Sequence, residues 1–380
     1  MSCFKSAGRY RDNPGCQFSI TDNDNFGLLN SNDKNPQKRN IVARWLWLGA
    51  GLIFLMVIIG GITRLTGSGL SMTDWNLIMG TFPPTTQAEW QEAFNQYRQF
   101  PEYQQINKGM SLDKFKSIFF WEYVHRLLGR VIGLVFFIPF VFFWVKDYFP
   151  RNFKRKMVFL FFLGALQGGM GWFMVKSGLA EVPYVSHYRL AAHLLLAFII
   201  MGFCVWFALD LREERDSEPT IESSTLKKWA LGILGIFALQ IIWGAFTAGL
   251  DAGYMYNTFP MMNESWIPPI GESFLVSLVE NPGVVQWTHR ILGTILALMV
   301  FGLWLKSLLS ESVSHFITFS STLLGIVLLQ YIIGILTVLY QVPIALGVLH
   351  QGMAMIFLVA WLISAHRLFK PALYASDTSE

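Results

Sequence analysis

Charge is scarce in this chain. Only 14% of its 380 residues are Asp, Glu, Lys or Arg, against about 25% in an average soluble domain. The net charge is +4, and the basic residues are scattered over connecting segments rather than gathered on one face, which argues against nucleic acid as a partner. Cysteine is scarcer still. Cys3 and Cys16 lie in a polar N-terminal stretch and Cys204 in an apolar run; no C-x-x-C spacing occurs, so neither a zinc ribbon nor a disulfide framework is indicated. Residues 1–40 lack any apolar run, which argues against a cleaved secretory signal. Their Asp12, Asp22, Asp24 and Asp33 also argue against a transit peptide, a class poor in acids, and the composition predicts disorder. Acids are missing from deep inside the apolar segments as well, which disfavours a transmembrane proton relay.

What remains is apolar. Hydrophobic residues make up 53% of the chain and aromatics 16%, with a mean hydropathy of +0.42. A bilayer core of about 30 Å takes about 20 apolar residues as helix. Eight segments qualify: 45–62, 117–145, 157–176, 188–210, 229–249, 284–305, 316–340 and 344–366. Lys and Arg orient them by the positive-inside rule. With both termini inside, sixteen basic residues flank the inner ends and seven the outer ones. The expected fold is all-α, a polytopic membrane protein of eight transmembrane helices in two pseudo-symmetric four-helix bundles. Its parts are a disordered cytoplasmic tail (1–40), an N-terminal half (41–211), a cytoplasmic linker (212–228), a C-terminal half (229–370) and a second cytoplasmic tail (371–380). Two outer loops, 63–116 and 250–283, are large, and EWQEAFNQYRQF in the first has the pattern of a surface helix.

The halves repeat one another. WEYVHRLLGR, from Trp121 to Arg130, returns as QWTHRILG, from Gln286 to Gly293. A second histidine follows in each half, in YRLAAHLLLAF (Tyr188 to Phe198) and in ALGVLHQGMAM (Ala345 to Met355). Gly60, Thr63 and Gly69 align with Gly244, Thr247 and Gly253 at one constant offset. Both units run from inside to outside and back, so a pseudo-two-fold axis along the membrane normal is expected.

His125, His193, His289 and His350 thus fall on even-numbered spans, five to eight residues from their outer starts, about 8–12 Å deep at 1.5 Å per residue. A lone intramembrane histidine is more often a hydrogen-bonded core residue than a ligand. Four at one depth, two per half, fit two haem irons, each gripped by imidazoles across a four-helix bundle. Zinc would want tetrahedral coordination with Cys or carboxylate neighbours. His315 and His366 read as interfacial residues, and His187 as a weak candidate for the mouth of the first site.

One difference separates the halves: Glu122 precedes His125 by three residues, whereas Gln286 precedes His289. A pair at i, i+3 shares a helix face, so Glu122 is directed toward whatever His125 binds; an i, i+4 ion pair with Arg126 is the competing account. A carboxylate beside only one of two similar sites places chemistry in the first half. Arg126, Arg130, Arg189 and Arg290, near outer helix ends, suit either haem propionates or simple snorkelling to water.

Together TRLTGSGLSMTDW, EYVHRLLGR, YRLAAHLLLAF, AGLDAGYMYNTFP, QWTHRILG and VLHQGMA resemble the heme A synthase family, in its mitochondrial and alpha-proteobacterial branch. The likeness covers residues 41–368. It implies a membrane oxidoreductase that oxidises the C8 methyl of heme O to a formyl group by successive hydroxylation, giving heme A for cytochrome c oxidase. By that resemblance His289 and His350 carry heme b as cofactor, His125 and His193 take the substrate heme O, and Glu122 serves turnover. The implied partners are heme O and its synthase, a membrane electron donor and cytochrome c oxidase assembly, with a homo-oligomer as a further expectation. The implied location is the cell inner (cytoplasmic) membrane, the mitochondrial inner membrane being the alternative. Some bacterial relatives carry a cysteine pair in the first outer loop; residues 63–116 here contain none, so no thiol mechanism applies. A diheme b-type electron carrier also explains the histidines but not the Glu122/Gln286 difference. A transporter built from parallel repeats predicts broken helices at mid-membrane, whereas the polar groups here cluster toward one face.

Overall fold

The computed structural model describes residues 35–72, 82–150, 152–179, 184–212, 224–309 and 316–369. Most of the expected N-terminal tail, most of the 212–228 linker, the 371–380 tail and His315 lie outside them.

Helix α1 (Pro36–Leu65) starts where the Asn35 side chain accepts from the backbone N–H groups of Gln37 at 3.0 Å and Lys38 at 3.2 Å, with Pro36 at the first helical position, where its missing donor costs nothing. The first outer loop carries α2 (Gln87–Tyr97), closed by a capping box between Thr86 and Glu89, and the short α3 (Pro101–Gln105). The chain then runs through α4 (Leu112–Val145), α5 (Phe153–Gly178), α6 (His187–Leu211) and α7 (Ser224–Gly249). A second outer loop with the short α8 (Phe274–Glu280) leads into α9 (Pro282–Leu309), α10 (Ile317–Leu339) and α11 (Ile344–Phe369). Among the described residues there is no strand beyond one isolated bridge, Met262 to Ser265. Eight of the helices, α1, α4, α5, α6, α7, α9, α10 and α11, are long and apolar enough to cross a bilayer. The chain is a multi-pass, all-α membrane protein. Large side chains such as Leu134, Ile138, Phe162 and Leu298 face outward uncovered, as a lipid-facing surface requires.

In the first half α1 packs on α4 and α6, and α5 packs on both of those. In the second half α7 packs on α9 and α11, and α10 on the same two. The halves meet where α6 lies on α7 and where α11 lies on α1. Exchanging the halves turns one seam into the other, a pattern consistent with the expected pseudo-two-fold. Polar contacts join the two halves. Arg64 Nη2 pairs with Asp251 Oδ1 at 2.8 Å, and Gln351 Nε2 donates to the Val57 carbonyl at 3.3 Å.

The helices differ from the sequence reading in one way that matters for the site. At 34 residues, α4 is about 50 Å long and overshoots the bilayer. Its outer turns present Phe115, Ile118 and Phe119 to Trp90, Phe94, Tyr97 and Tyr103 of the first loop, forming a separate aromatic core. Tyr97 stacks on Phe115 with ring centres 5.2 Å apart. His125 therefore lies near the middle of α4, not near its start, while His193, His289 and His350 sit within the first turns of α6, α9 and α11. The span reached outward only to residue 117 in the sequence because Ser111, Asp113, Lys114 and Lys116 broke the apolar run.

Two histidines read as peripheral are buried. His366, expected at the interface, lies with Nε2 3.0 Å from Asp210 Oδ1 and its ring centre 4.9 Å from that of Trp206. Asp210 Oδ2 takes Lys156 Nζ at 2.6 Å, so the cluster ties α5, α6 and α11 together at their shared end. His187 is wedged between the halves, edge-on to Phe246 with ring centres 5.1 Å apart, in the α6–α7 seam rather than at the mouth of the first site.

Candidate functional site

Each of the four histidines rests against a glycine on the neighbouring odd-numbered span. A Cβ built on Gly60 would stand 3.1 Å from Cε1 of His125, on Gly171 3.3 Å from His193, on Gly244 3.0 Å from His289 and on Gly334 2.9 Å from His350. These are closer than ordinary side-chain contacts, so glycine is what lets the ring edge lie flush on the facing helix. Four residues before three of these glycines stands a glutamine. Gln167 Nε2 lies 3.3 Å from His193 Nε2, Gln240 Nε2 3.4 Å from His289 Nε2, and Gln330 Nε2 3.4 Å from His350 Nε2. Gln167 and Gln330 also donate to the backbone carbonyls of His193 and His350, at 3.1 Å and 2.9 Å. That bond fixes which end of each amide faces the ring. An N–H pointed at Nε2 makes that nitrogen the acceptor, so an iron bound there would take the place of the amide. The pattern was open to view in the sequence as LQGGMG, LQIIWG and LQYIIG; the glutamines were missed because they sit on the odd spans, away from the histidines.

The second-half pair meets directly. The rings of His289 and His350 have centres 6.2 Å apart and planes at 76°. Two metal–imidazole bonds of about 2 Å each, plus the two ring radii, add up to about that separation. Nδ1 is buried and without a hydrogen-bond partner in His125, His193, His289 and His350 alike. Buried polar atoms are rarely left so without a functional reason. Among the described residues no three His, Cys, Asp or Glu side chains converge on one point, so the arrangement is of pairs. It fits a planar macrocycle whose iron takes one imidazole on each face.

Above each first histidine an arginine clamps the outer loop. Arg126 Nη2 donates to the Met72 carbonyl at 2.9 Å, and Arg290 Nη2 to the Tyr256 carbonyl at 2.8 Å. Met72 and Tyr256 keep the same offset as the repeat's glycines, so the clamp is itself repeated. The residues three before the histidines finish it differently. Gln286 donates from Nε2 to the Tyr256 carbonyl at 3.1 Å. Glu122 accepts instead: its Oε2 takes the Ser71 hydroxyl at 2.7 Å and the Met72 N–H at 2.8 Å, while its Oε1 pairs with Arg126. The i, i+4 ion pair is therefore present, and Glu122 is 2% exposed. Ser71 and Met72 were not singled out in the sequence, because nothing there shows which loop residues return to α4.

The arginines divide by what they touch. Arg126 and Arg290 hold loop groups, Arg290 also reaching the carbonyls of Thr258 at 2.9 Å and Met261 at 3.4 Å. Arg189 lies over the Phe173 ring, 5.3 Å from its centre, on the outer face of the first half, and Arg130 lies one turn below Arg126 on α4. Nε of Arg290 is buried with no hydrogen-bond partner, a donor that suits an anionic ligand. Cys204 is buried between the halves' core residues, away from every histidine pair.

Residues 43–362 match the model of the COX15-CtaA family, described as cytochrome oxidase assembly protein. The chain is 44% identical over 339 residues to the heme A synthase of Flavobacterium johnsoniae, an alignment covering 86% of this chain and 97% of that one. It is 44% identical to the heme A synthase of Nitrosospira multiformis, over 86% of this chain and 93% of the relative. To that of Parvibaculum lavamentivorans it is again 44% identical, over 90% and 98%.

Proposed function

The chain belongs to the COX15-CtaA family of cytochrome oxidase assembly proteins, and on that premise we propose that it is a heme A synthase, a membrane oxidoreductase that converts the C8 methyl of heme O to the formyl group of heme A. The observation that carries the assignment to this site is a difference between two similar clamps, Glu122 in one and Gln286 in the other.

His289 and His350 would hold heme b, and the 6.2 Å separation of their rings supports that reading. A haem in that place supplies one-electron chemistry. His125 and His193 would hold the substrate haem. Glu122 carries the only carboxylate of the clamp, and its bonds to Ser71, Met72 and Arg126 hold it along the face it shares with His125. There it is placed to accept a proton released at the substrate and to pass it toward the outer loop. Arg126 and Arg290 close the loops over the two sites and keep water from them. Arg126, Arg130, Arg189 and Arg290 are the candidate contacts for propionates.

The halves divide the work: residues 41–211 the substrate site, residues 229–370 the heme b site. The membrane is the cell inner membrane, with the mitochondrial inner membrane the alternative. Heme O synthase upstream, a membrane electron donor and the cytochrome c oxidase assembly downstream are the partners this chemistry requires, and a homo-oligomer is compatible with it. Acid extraction of purified protein, expressed with ample heme O, tests the reading. Heme B together with heme O and heme A is the expected result. Heme B alone points to a diheme electron carrier, and no haem overturns both.

A further inference from the structure

The seam between the second and third spans is closed in one half and open in the other. In the second half α10 packs closely on α9, whereas in the first half α5 lies loosely on α4. The residues at matched positions account for it. In the register that sets His125 on His289, Arg130 answers Thr294 and Gly133 answers Ala297. In the register that sets Gln167 on Gln330, Gly164 answers Val327 and Gly168 answers Tyr331. Thr294 Oγ1 and Tyr331 Oη lie 2.9 Å apart, a hydrogen bond that joins α9 to α10, and Val327 is buried in the core with Ala297 packed against it. Gly133, Gly164 and Gly168 are exposed, and no described residue comes within 4 Å of a Cβ built on any of them.

The resulting cleft lies at the depth of the first histidine pair. Gly168 follows Gln167, whose Nε2 is 3.3 Å from His193 Nε2, and it stands three residues before Gly171, on which the His193 ring rests. Inward the cleft has a floor. The Phe161 ring packs on Phe136, Phe137 and Phe140 of α4, with centres 6.5, 5.9 and 5.5 Å apart, about 10 Å further along α5 than Gly168 at 1.5 Å per residue.

We propose that the cleft between α4 and α5 is the subsite for the isoprenoid chain of heme O, which enters it sideways from the lipid. The inference rests on the assignment of the first half to the substrate. Heme O differs from heme b by a long isoprenoid chain on the ring edge. A ring held by imidazoles inside a four-helix bundle turns its edges to the seams between helices, so a chain on that edge needs a seam that parts. The first half supplies one lined by glycine and floored by phenylalanine. An apolar chain moves into it from lipid without leaving an apolar medium. Heme b has no such chain, and the half assigned to it is bonded shut at the same place.

The test is binding, which needs no turnover. Purified protein in phosphatidylcholine vesicles, its second half holding heme B, is titrated with heme O and separately with further heme B, and binding is read from the Soret absorbance. Gly168→Tyr, which installs the side chain of the closed seam, is expected to weaken heme O binding about tenfold, within the range that overpacking costs. Binding of the added heme B should stay within twofold of wild type, as should both titrations of Gly168→Ala. The band of the resident heme B reports folding. If Gly168→Tyr loses that band, Gly164→Leu and Gly168→Leu, which also extend into open space, are read in its place with the same expectation. Heme O binding within twofold of wild type in the variant read, or equal weakening of heme O and added heme B, would overturn the inference and leave the substrate assignment standing. Wild-type protein that binds no heme O would overturn the assignment and the inference with it.

Discussion

Ser71 and Glu122 stand 51 positions apart in the chain, yet the serine hydroxyl donates to Glu122 Oε2 at 2.7 Å. The acid beside the first histidine pair is therefore also the latch of the outer loop above it. The two duties are separable, because Gln286 latches the equivalent loop of the second half without a charge.

Glu122→Gln should keep the loop closed and the heme B band intact while lowering heme A formation by about 100-fold or more, the usual yield of a lost proton-transfer group. Glu122→Ala should do more harm: both variants remove the counter-charge of the buried Arg126, but alanine also leaves the Ser71 hydroxyl and the Met72 N–H without their acceptor, and each buried unsatisfied donor costs about 1–3 kcal/mol. Limited proteolysis of the first loop distinguishes them: protection as in wild type for the glutamine variant, faster cleavage for the alanine variant. Wild-type heme A output from Glu122→Gln would remove the catalytic role.

The glycine platforms make a second prediction. Gly244→Ala and Gly334→Ala place a methyl 3.0 Å and 2.9 Å from Cε1 of His289 and His350. The ring must move, and overpacking of this kind costs about 1–3 kcal/mol. The absorbance of the second-half haem should shift or weaken in both. Gly51→Ala, on the same α1 that carries Gly60 but with nothing within 4 Å of its Cβ, should leave the spectrum unchanged. Unaltered spectra in all three proteins would mean that the rings do not rest where the structure places them.

These residues also show what the sequence could reveal. The eight spans, the repeat and the four histidines followed from apolar length and from the recurrence of His-Arg, signals carried by neighbouring residues. The length of α4 did not, since its outer turns are helical for a reason found elsewhere in the chain, the aromatic side chains of α2 and α3 that cover Phe115 and Phe119. Nor did the partners of Glu122 or the Asp210–His366 contact, which join segments far apart in sequence. The glutamine run was legible throughout, and only its meaning needed the structure.

The outer loop should respond to pH through Glu102. Its carboxyl is buried beside Tyr97, and burial pushes it up to about 7, with the Tyr97 hydrogen bond opposing the shift and the charge of Glu122 adding to it. An unfolded glutamate titrates at about 4.3. A folded value above the unfolded one means that the folded loop binds the proton more tightly, so its stability is fully present below about pH 4.3 and declines as pH rises through about 7. Hydrogen-exchange protection of α2 and α3, corrected for the intrinsic rise of exchange with pH, should therefore fall between about pH 4.3 and about pH 7 and level off above, and Glu102→Gln should flatten that dependence. An unchanged dependence in the variant would assign the titration to another group.

The assignment of the two halves is tested most directly by removing one histidine from each and identifying the haem that disappears. His193→Ala and His350→Ala proteins, expressed with ample heme O, are purified and their haems extracted and separated. The account predicts that His193→Ala keeps heme B and loses heme O and heme A, whereas His350→Ala loses heme B. The reverse pattern, or the loss of the same haem from both proteins, would contradict it.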